Sequence, residues 1–409
     1  MKQVLVIGGG ASGLMAAIAA AENGAKVTLI EKNKTVGKKL LVTGNGRCNF
    51  TNLYQHPESY RGGAPAFTAQ ALAAFSAKDA VRFFERLGIG VKEREGWLYP
   101  ASGQASSIAS VLRLEAERLR VKLACNTTIK EIERKNSHFL AKTDSWTYEG
   151  DALVLACGSK AAPETGSDGD GYRFAEALGH SVTGPFPALT GLVVAEQDCG
   201  KLAGVRAEAL VTLRVGSKEY QDTGEVQFTS YGLSGIPIFQ ASRYASAALA
   251  EGKSCEIQLD FWPELPGVEM ERMLTERMHS LPNRCGAELL LGVFPEKLSR
   301  YFLERAGIST QKCGARWTEK ESLVLALQIR RLGFHVVKSL GFDHAQVCAG
   351  GVPLGELKGI SMESSFTPGL YLAGELLDVD GACGGYNLQW AWTSGYLAGK
   401  SAAGQKRKS

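Results

Sequence analysis

The sequence contains no Cys-x-x-Cys, although nine cysteines are spread through it at 48, 125, 157, 199, 255, 285, 313, 348 and 383. An odd number at scattered positions gives no support to a disulfide framework, a zinc site or a dithiol redox motif, and fits a reducing, cytoplasmic setting. Proline is scarce, at 13 of 409 residues. No apolar run reaches the roughly 18 residues that a membrane span needs. Neither sign of charge is in excess: 46 Lys plus Arg against 42 Asp plus Glu leave a net charge of +4. That balance neither requires nor forbids a polyanionic partner. No repeat of fixed period occurs. Lys2 and the apolar residues after it imitate a signal peptide, but Gly8, Gly9, Gly10 and Gly13 interrupt the apolar core. What is abundant is glycine, 48 residues, within an ordinary 44% hydrophobic and 22% charged composition. Glycine without proline points to backbone packed closely against something, not to low complexity. A chain of this length buries roughly 75% of its unfolded surface and accommodates about two to four domains.

Residues 2–31 read as strand, turn, helix and strand. Val4-Leu5-Val6-Ile7 is a continuous apolar run, as in a strand buried on both faces. Ser12 to Asn23 is alanine-rich and stops at Gly24; Lys26-Val27-Thr28-Leu29-Ile30 follows and is closed by Glu31. Between the first strand and the helix stands Gly8-x-Gly10-x-x-Gly13. Gly8 permits the tight turn, Gly10 lets the backbone approach a pyrophosphate, and Gly13 lets helix and strand pack closely. The pyrophosphate then meets Ala11, Ser12 and Gly13 at the helix N-terminus, where free N–H groups and the dipole attract an anion. Glu31, eighteen positions past Gly13 and followed by Lys32, is placed to accept ribose hydroxyls. Together these features point to dinucleotide binding. A tight turn with packing glycines is the plain alternative.

Later elements select FAD. Leu153-Val154-Leu155-Ala156-Cys157-Gly158 is a strand ending in glycine beside the cofactor. Gly369-Leu370-Tyr371-Leu372-Ala373-Gly374-Glu375 ends a second strand on an acid, with Glu375 or Asp378 placed near a ribityl chain. The loop Gly37 to Asn49 offers Lys39, Gly44, Arg47, Cys48 and Asn49. Its backbone N–H groups can wrap a cofactor, and Arg47 can compensate phosphate or the charge of a reduced flavin. A solvated surface loop is the alternative. From Asp378 to Trp392, glycines lead into a helix starting near Tyr386. Asp380, Gly385, Tyr386, Asn387 and Leu388 then form a helix N-terminus able to face the flavin N1–C2=O edge. Trp390 and Trp392 read as core. Cys48, with no base nearby in sequence, reads as an inert buried thiol.

Helical periodicity recurs from Ala69 to Leu87 and from Ser106 to Leu119, and residues 121–150 read as short strands. The texture changes near Pro185-Phe186-Pro187. Strand-like sequence runs to about 265, then helices over Met270 to Leu281, Gly286 to Gly307 and Lys320 to Leu332. The expected architecture is α/β. A Rossmann-type FAD-binding domain is built from both chain ends, 1–188 and 351–409. The insertion 189–350 is β-rich and carries helices at about 267–333.

GKKLLVTGNGRCNFTN, TGEVQFTSYGLSG, CAGGVPLGEL, PGLYLAGELLDVDG and GGYNLQWAWTSG, in that order, resemble the YhiN/BaiN-type NAD(P)/FAD-dependent oxidoreductases over essentially the whole chain. The resemblance implies a Rossmann-type FAD domain, a β-barrel-like insertion and a helical subdomain nested in it. Some members are described as 3-dehydro-bile acid Δ4,6-reductases. That implies saturation of a C=C bond conjugated to a ketone, with hydride passing from flavin N5 to the β-carbon. A donor polarises the carbonyl and an acid protonates the α-carbon. Ser230 stands where the family often has His, Ile236 where it has Pro, Cys348 where it has Thr and Ser365 where it has Lys. The first of these removes a histidine acid/base from its segment.

No second strand–GxGxxG–helix unit follows, since Gly166 to Gly171 lacks a preceding strand and reads as a loop. NADH or NADPH is therefore expected as a transient reductant without a domain of its own. The expected partner is a small apolar substrate enclosed by flavin and insertion, with no nucleic acid and no membrane. Oligomeric state stays open. Tyr231, Tyr386 and Arg47 are the candidate catalytic donors; for the tyrosines, packing with a satisfied hydroxyl is the alternative. Two other readings stand beside this one. The first is an FAD-dependent tRNA-modifying enzyme, to which the net charge and Lys406-Arg407-Lys408 lend weak support. The second is a non-catalytic flavin-binding protein.

Overall fold

The computed structural model describes residues 1–404, so the Lys406-Arg407-Lys408 tail lies outside the described residues. Contacts divide the chain into one unit of Met1–Phe186 with the return segment Gln346–Ser409, and a second unit, Pro187–Ala345. The first is built on a five-stranded parallel sheet. Its order is Leu370–Leu372, Ala152–Leu155, Gln3–Ile7, Lys26–Ile30, Lys122–Ala124. The register sets Val4 beside Ala152 on one side and Val27 on the other. Val4–Ile7, Ala152–Leu155 and Leu370–Leu372 are buried throughout. Such unbroken apolar runs suit a sheet covered on both faces.

The first helix is Ala11–Glu22, and a long helix, Tyr386–Ala403, packs along it. Small residues make the contact. A Cβ on Gly395 would lie 2.4 Å from Ser12 O, and one on Gly399 would lie 2.1 Å from Ala16 O. The i, i+4 spacing stacks both glycines on one face, so the two backbones touch directly. Trp390 and Trp392 are buried in the core, as expected. Their indole N–H groups donate to Gly374 O at 3.1 Å and Phe50 O at 2.8 Å.

Two expected helices are broken. The stretch Ala69–Leu87 is two helices, Pro65–Ala74 and Ala77–Arg86. Ser76 starts the second with a capping box: its hydroxyl accepts from Asp79 N, and the Asp79 carboxylate accepts from Ser76 N. The stretch Gly286–Gly307 becomes a 3-10 turn, Gly286–Leu290, and a helix, Glu296–Arg305. Pro295, which cannot continue a helix, stands just ahead of the second.

The second unit is a closed antiparallel barrel. Its order is Leu192–Val194, Gly232–Ser234, Lys218–Phe228, Arg206–Val215, Cys255–Asp260 and Leu332–Ser339, which pairs back onto the first. Closure leaves no open edge. Between the last two strands the chain forms the helices Gly267–Ser280, Glu296–Arg305 and Glu319–Arg330. Phe261 contacts both Phe302 of these helices and Phe228 of the barrel.

The expectation of unbonded cysteines fails at one place. Cys285 and Cys313 are joined by a disulfide across an isolated antiparallel bridge. Backbone bonds from Gly286 N to Lys312 O and from Gly314 N to Arg284 O hold the two segments opposite each other. The cysteines are 28 positions apart, and only tertiary pairing brings them together. Disulfides persist mainly in oxidising compartments, so cysteine usage no longer argues for a reducing cytoplasm. Alkylation of the unfolded, unreduced chain should label the seven free cysteines, and reduction should expose the remaining pair. Nine labels without reductant, read by intact mass, would remove the bond.

His180 is buried between Glu356 and Ser364. Its Nδ1 lies 2.8 Å from Glu356 Oε2 and its Nε2 2.8 Å from Ser364 Oγ. Burial pushes the Glu356 carboxyl up, but hydrogen bonds from Ser181 and His180 outweigh it and hold the group below its ordinary 4.5. A carboxyl depressed in the folded state contributes stability above its unfolded pKa and loses it as pH falls through the folded value. Wild-type stability should therefore decline more steeply below pH 4.5 than that of Glu356→Gln in urea titrations. Parallel acid limbs would show that this pair contributes nothing.

Candidate functional site

The Gly8–Gly13 turn has the tightness its spacing predicts. Gly8 has φ +100°, and a Cβ there would lie 2.4 Å from Ala156 O. A Cβ on Gly13 would fall 1.8 Å from Gly8 O. At Gly10, by contrast, nothing lies within 4 Å of where a Cβ would stand. Gly10 is the N-cap of the first helix, and no side chain caps it. The first helical bond runs from Leu14 N to Gly10 O, which leaves the N–H groups of Ala11, Ser12 and Gly13 outside the helical ladder. Open space above uncapped amides is a cradle for pyrophosphate.

Glu31 closes the neighbouring strand and is only 8% exposed. Its Oε2 accepts from Gly9 N at 2.7 Å, and its Oε1 accepts from Asn33 N and Nδ2 at 2.8 and 2.7 Å. A carboxylate offers about four lone-pair sites, so Oε2 keeps one for a ribose hydroxyl. Lys32 is paired with Asp168 at 2.5 Å and Asp170 at 3.7 Å. Lys39 and Glu375, both expected at the cofactor, meet as an ion pair at 2.8 Å. Lys39 also donates to Ala161 O, and Glu375 Oε1 accepts from Cys348 N. Gly374 faces Ser12, where a Cβ would come within 2.3 Å of the hydroxyl. Gly158 lies over Ser167, whose hydroxyl bonds the backbone of Ser159 at both N and O. Burial pushes the Cys157 thiol up to about 12. Sequence reading misses Asn33, Asp168, Ser167 and Ser394, the residue whose hydroxyl holds Gly374 N. Of these, only Asn33 stands close enough to a recognised motif to have been found there.

The 37–49 loop is tightly wound. Gly44, Asn45, Gly46 and Cys48 all have positive φ. Holding a non-glycine residue left-handed costs on the order of 1 kcal/mol or more, so the contacts around this loop dictate its path. Cys48 is buried, and burial raises its thiol to about 11 against a hydrogen bond with Thr43. It is an inert thiol, as expected. Asn49 beside it is 8% exposed, and neither its Nδ2 nor its Oδ1 has a partner. A Cβ on Gly385 would come within 2.8 Å of Asn49 Oδ1. Gly385, with φ +93°, is the N-cap of helix Tyr386–Ala403, which likewise has no side-chain cap. An unpaired buried polar group costs about 1–3 kcal/mol, so this second cradle calls for a polar ligand.

The remaining expected residues divide between support and exposure. Asp380 is buried. Asn387 bonds the backbone of Gly381 at both N and O, and Leu388 packs on the core. The Tyr386 hydroxyl donates to Tyr54 O at 2.9 Å, and its ring meets Tyr60 edge-on. The hydroxyl is thus satisfied within the protein. Arg47 is exposed; its backbone N–H donates to Gly44 O, and its guanidinium makes no hydrogen bond or ion pair among the described residues. Tyr231 belongs to the barrel unit, where its hydroxyl abuts Gly191. An open N-terminal cradle at Gly10, an uncapped helix N-terminus at Gly385, a ribose-type carboxylate and an orphaned amide fit FAD.

The family described as HI0933-like protein Rossmann domain matches residues 2–401. The 3-dehydro-bile acid delta(4,6)-reductase of Clostridium scindens is 41% identical, over 98% of this chain and 99% of that protein. The ribosomal RNA dihydrouridine synthases of Haemophilus influenzae and Escherichia coli are each 31% identical, over 98% of either chain. The Mycobacterium smegmatis Sdh1 complex in the apo form shares the fold, with a TM-score of 0.50 at 17% identity, over 98% of this chain and 68% of that one. The chain belongs to the HI0933-like family, with a Rossmann-type FAD-binding domain drawn from both chain ends and a barrel inserted between them.

Proposed function

We propose that the protein is an FAD-dependent oxidoreductase that reduces a C=C bond conjugated to a carbonyl. Its substrate is a small apolar ring system such as a 3-oxo-Δ4 or Δ4,6 bile acid. The observation that carries this reading is the 41% identity, along 98% of the chain, to a 3-dehydro-bile acid delta(4,6)-reductase. Bound FAD supplies the two-electron reducing chemistry. The chain's own residues bind and orient. With FAD bound, the amides after Gly10 would hold its pyrophosphate, Glu31 its ribose, and the uncapped helix N-terminus at Gly385 its ring. Arg47, whose exposed guanidinium makes no hydrogen bond or ion pair among the described residues, would compensate charge developing on the substrate carbonyl oxygen. NADH or NADPH serves as reductant from solution.

A second reading is favoured by the two relatives named ribosomal RNA dihydrouridine synthase. The C5=C6 bond of uracil is also conjugated to a carbonyl, so the same chemistry serves a base in RNA. Anaerobic mixing separates the readings. NADH or NADPH should bleach the flavin, and a 3-oxo-Δ4 bile acid should restore its colour. Restoration by a ribosomal RNA fragment alone would select the second reading, and restoration by neither would overturn both. Arg47→Ala should keep its FAD and lose roughly ten- to a hundredfold in the reoxidation rate. An unchanged rate would exclude Arg47 from the chemistry.

A further inference from the structure

We infer that the Asn49 carboxamide reads the imide edge of the isoalloxazine, the C2=O, N3–H, C4=O run, and so orients the ring at the N-terminus of helix Tyr386–Ala403. The inference rests on the FAD reading above and assigns one residue to one edge of the cofactor. Its starting point is that Asn49 is unpaired at both ends of the amide while buried. Three buried or half-buried polar side chains near it are engaged. Thr51 donates to Gln389 Oε1, Asn52 donates to Gly384 O and accepts from Tyr54 N, and Asn387 is spent on Gly381. Asn49 is the exception in a satisfied neighbourhood, and the cost of leaving it so is met when a ligand binds.

The chemistry of the vacancy in hydrogen bonding is specific. A carboxamide with Nδ2 and Oδ1 both open needs an acceptor and a donor side by side. A phosphate or carboxylate offers acceptors alone and would repel Oδ1. An imide edge offers both, in alternation. The adenine end of FAD offers a similar pair, but it belongs with the ribose at Glu31, whose neighbours are Gly9 and Asn33. Asn49 instead neighbours Gly44 and Gly385, where the lack of side chains lets the loop backbone and the Asn49 amide come close to the uncapped helix N-terminus. The site is also rigid. Trp392 holds Phe50 O at 2.8 Å, and the rings of Phe50, Phe84 and Trp392 pack edge-on. The backbone that carries Asn49 is therefore held in place before the ligand arrives, which lowers the entropy cost of binding.

The test is binding. The full chain is stripped of flavin and titrated with FAD and with N3-methyl-FAD, in which the imide N–H is blocked, using flavin fluorescence. Wild type should prefer FAD by about tenfold. Asn49→Leu should lose about ten- to a hundredfold in FAD affinity, and the preference between the two flavins should vanish. Asn49→Asp, nearly isosteric and without a donor, should also weaken FAD binding, and it serves if the leucine variant misfolds. Asn49→Leu binding FAD with wild-type affinity and wild-type preference would overturn the assignment. So would normal flavin binding combined with loss of binding to a uridine oligonucleotide, since the imide edge would then be that of a base. A wild-type chain that binds neither flavin overturns the FAD reading itself, and this inference with it.

Discussion

Gly399→Val is expected to destabilise the FAD-binding unit by at least about 3 kcal/mol and to abolish retention of flavin. Even the first added carbon would sit 2.1 Å from Ala16 O and 2.8 Å or less from two further positions, Ala16 C and Cα. These are backbone atoms of another helix and cannot rotate away. The only relief is to move helix Tyr386–Ala403 off Ala11–Glu22. That would separate the two N-termini that form the cradles at Gly10 and Gly385. Lys400→Ala, one position away and exposed, is the control and should be nearly neutral. Urea midpoints and the flavin content after gel filtration measure both effects. A Gly399→Val chain that stays yellow with a wild-type midpoint would mean that the helices do not touch as described.

Glu31→Ala is expected to cost about a hundredfold or more in FAD affinity and about 2–3 kcal/mol of stability without ligand. The carboxylate holds three protein donors, Gly9 N, Asn33 N and Asn33 Nδ2, and truncation leaves them without it. Charge-assisted bonds of this kind are roughly twice as strong as neutral ones. Gly9 N is the most sensitive, because it lies inside the glycine turn whose shape presents the pyrophosphate amides. Glu31→Gln keeps an acceptor and should fall between alanine and wild type. Isothermal titration with FAD gives the affinities, and wild-type binding by Glu31→Ala would remove this residue from the cofactor site.

The glycine turn and its carboxylate were legible because the whole unit is local. Strand, turn, helix and second strand lie within residues 3–31, and Gly13 answers a steric demand made by Gly8, five positions away. The buried strands at Ala152–Leu155 and Leu370–Leu372 were legible for a similar reason, since full burial demands unbroken apolar runs. The breaks at Ser76 and Pro295 show the limit of periodicity. An apolar repeat can continue in register across a capping residue, so a pattern of period 3.6 cannot by itself locate a helix end. Tyr386 shows a different limit. A tyrosine at a promising helix start still has a hydroxyl to satisfy, and Tyr54 O lies 332 positions away in sequence.

The sequence by itself determined the α/β class, the dinucleotide turn, the family and the change of texture near Pro185-Phe186-Pro187, because each is written in local pattern or in runs of motif. Tertiary structure alone decided the partners: Lys39 with Glu375, Cys285 with Cys313, Gly399 with Ala16, and Asn49 with none. The physical reason is separation along the chain. Propensity, capping and periodicity act over a few residues, whereas charge pairing, disulfide formation and close helix contact depend on where distant segments come to rest.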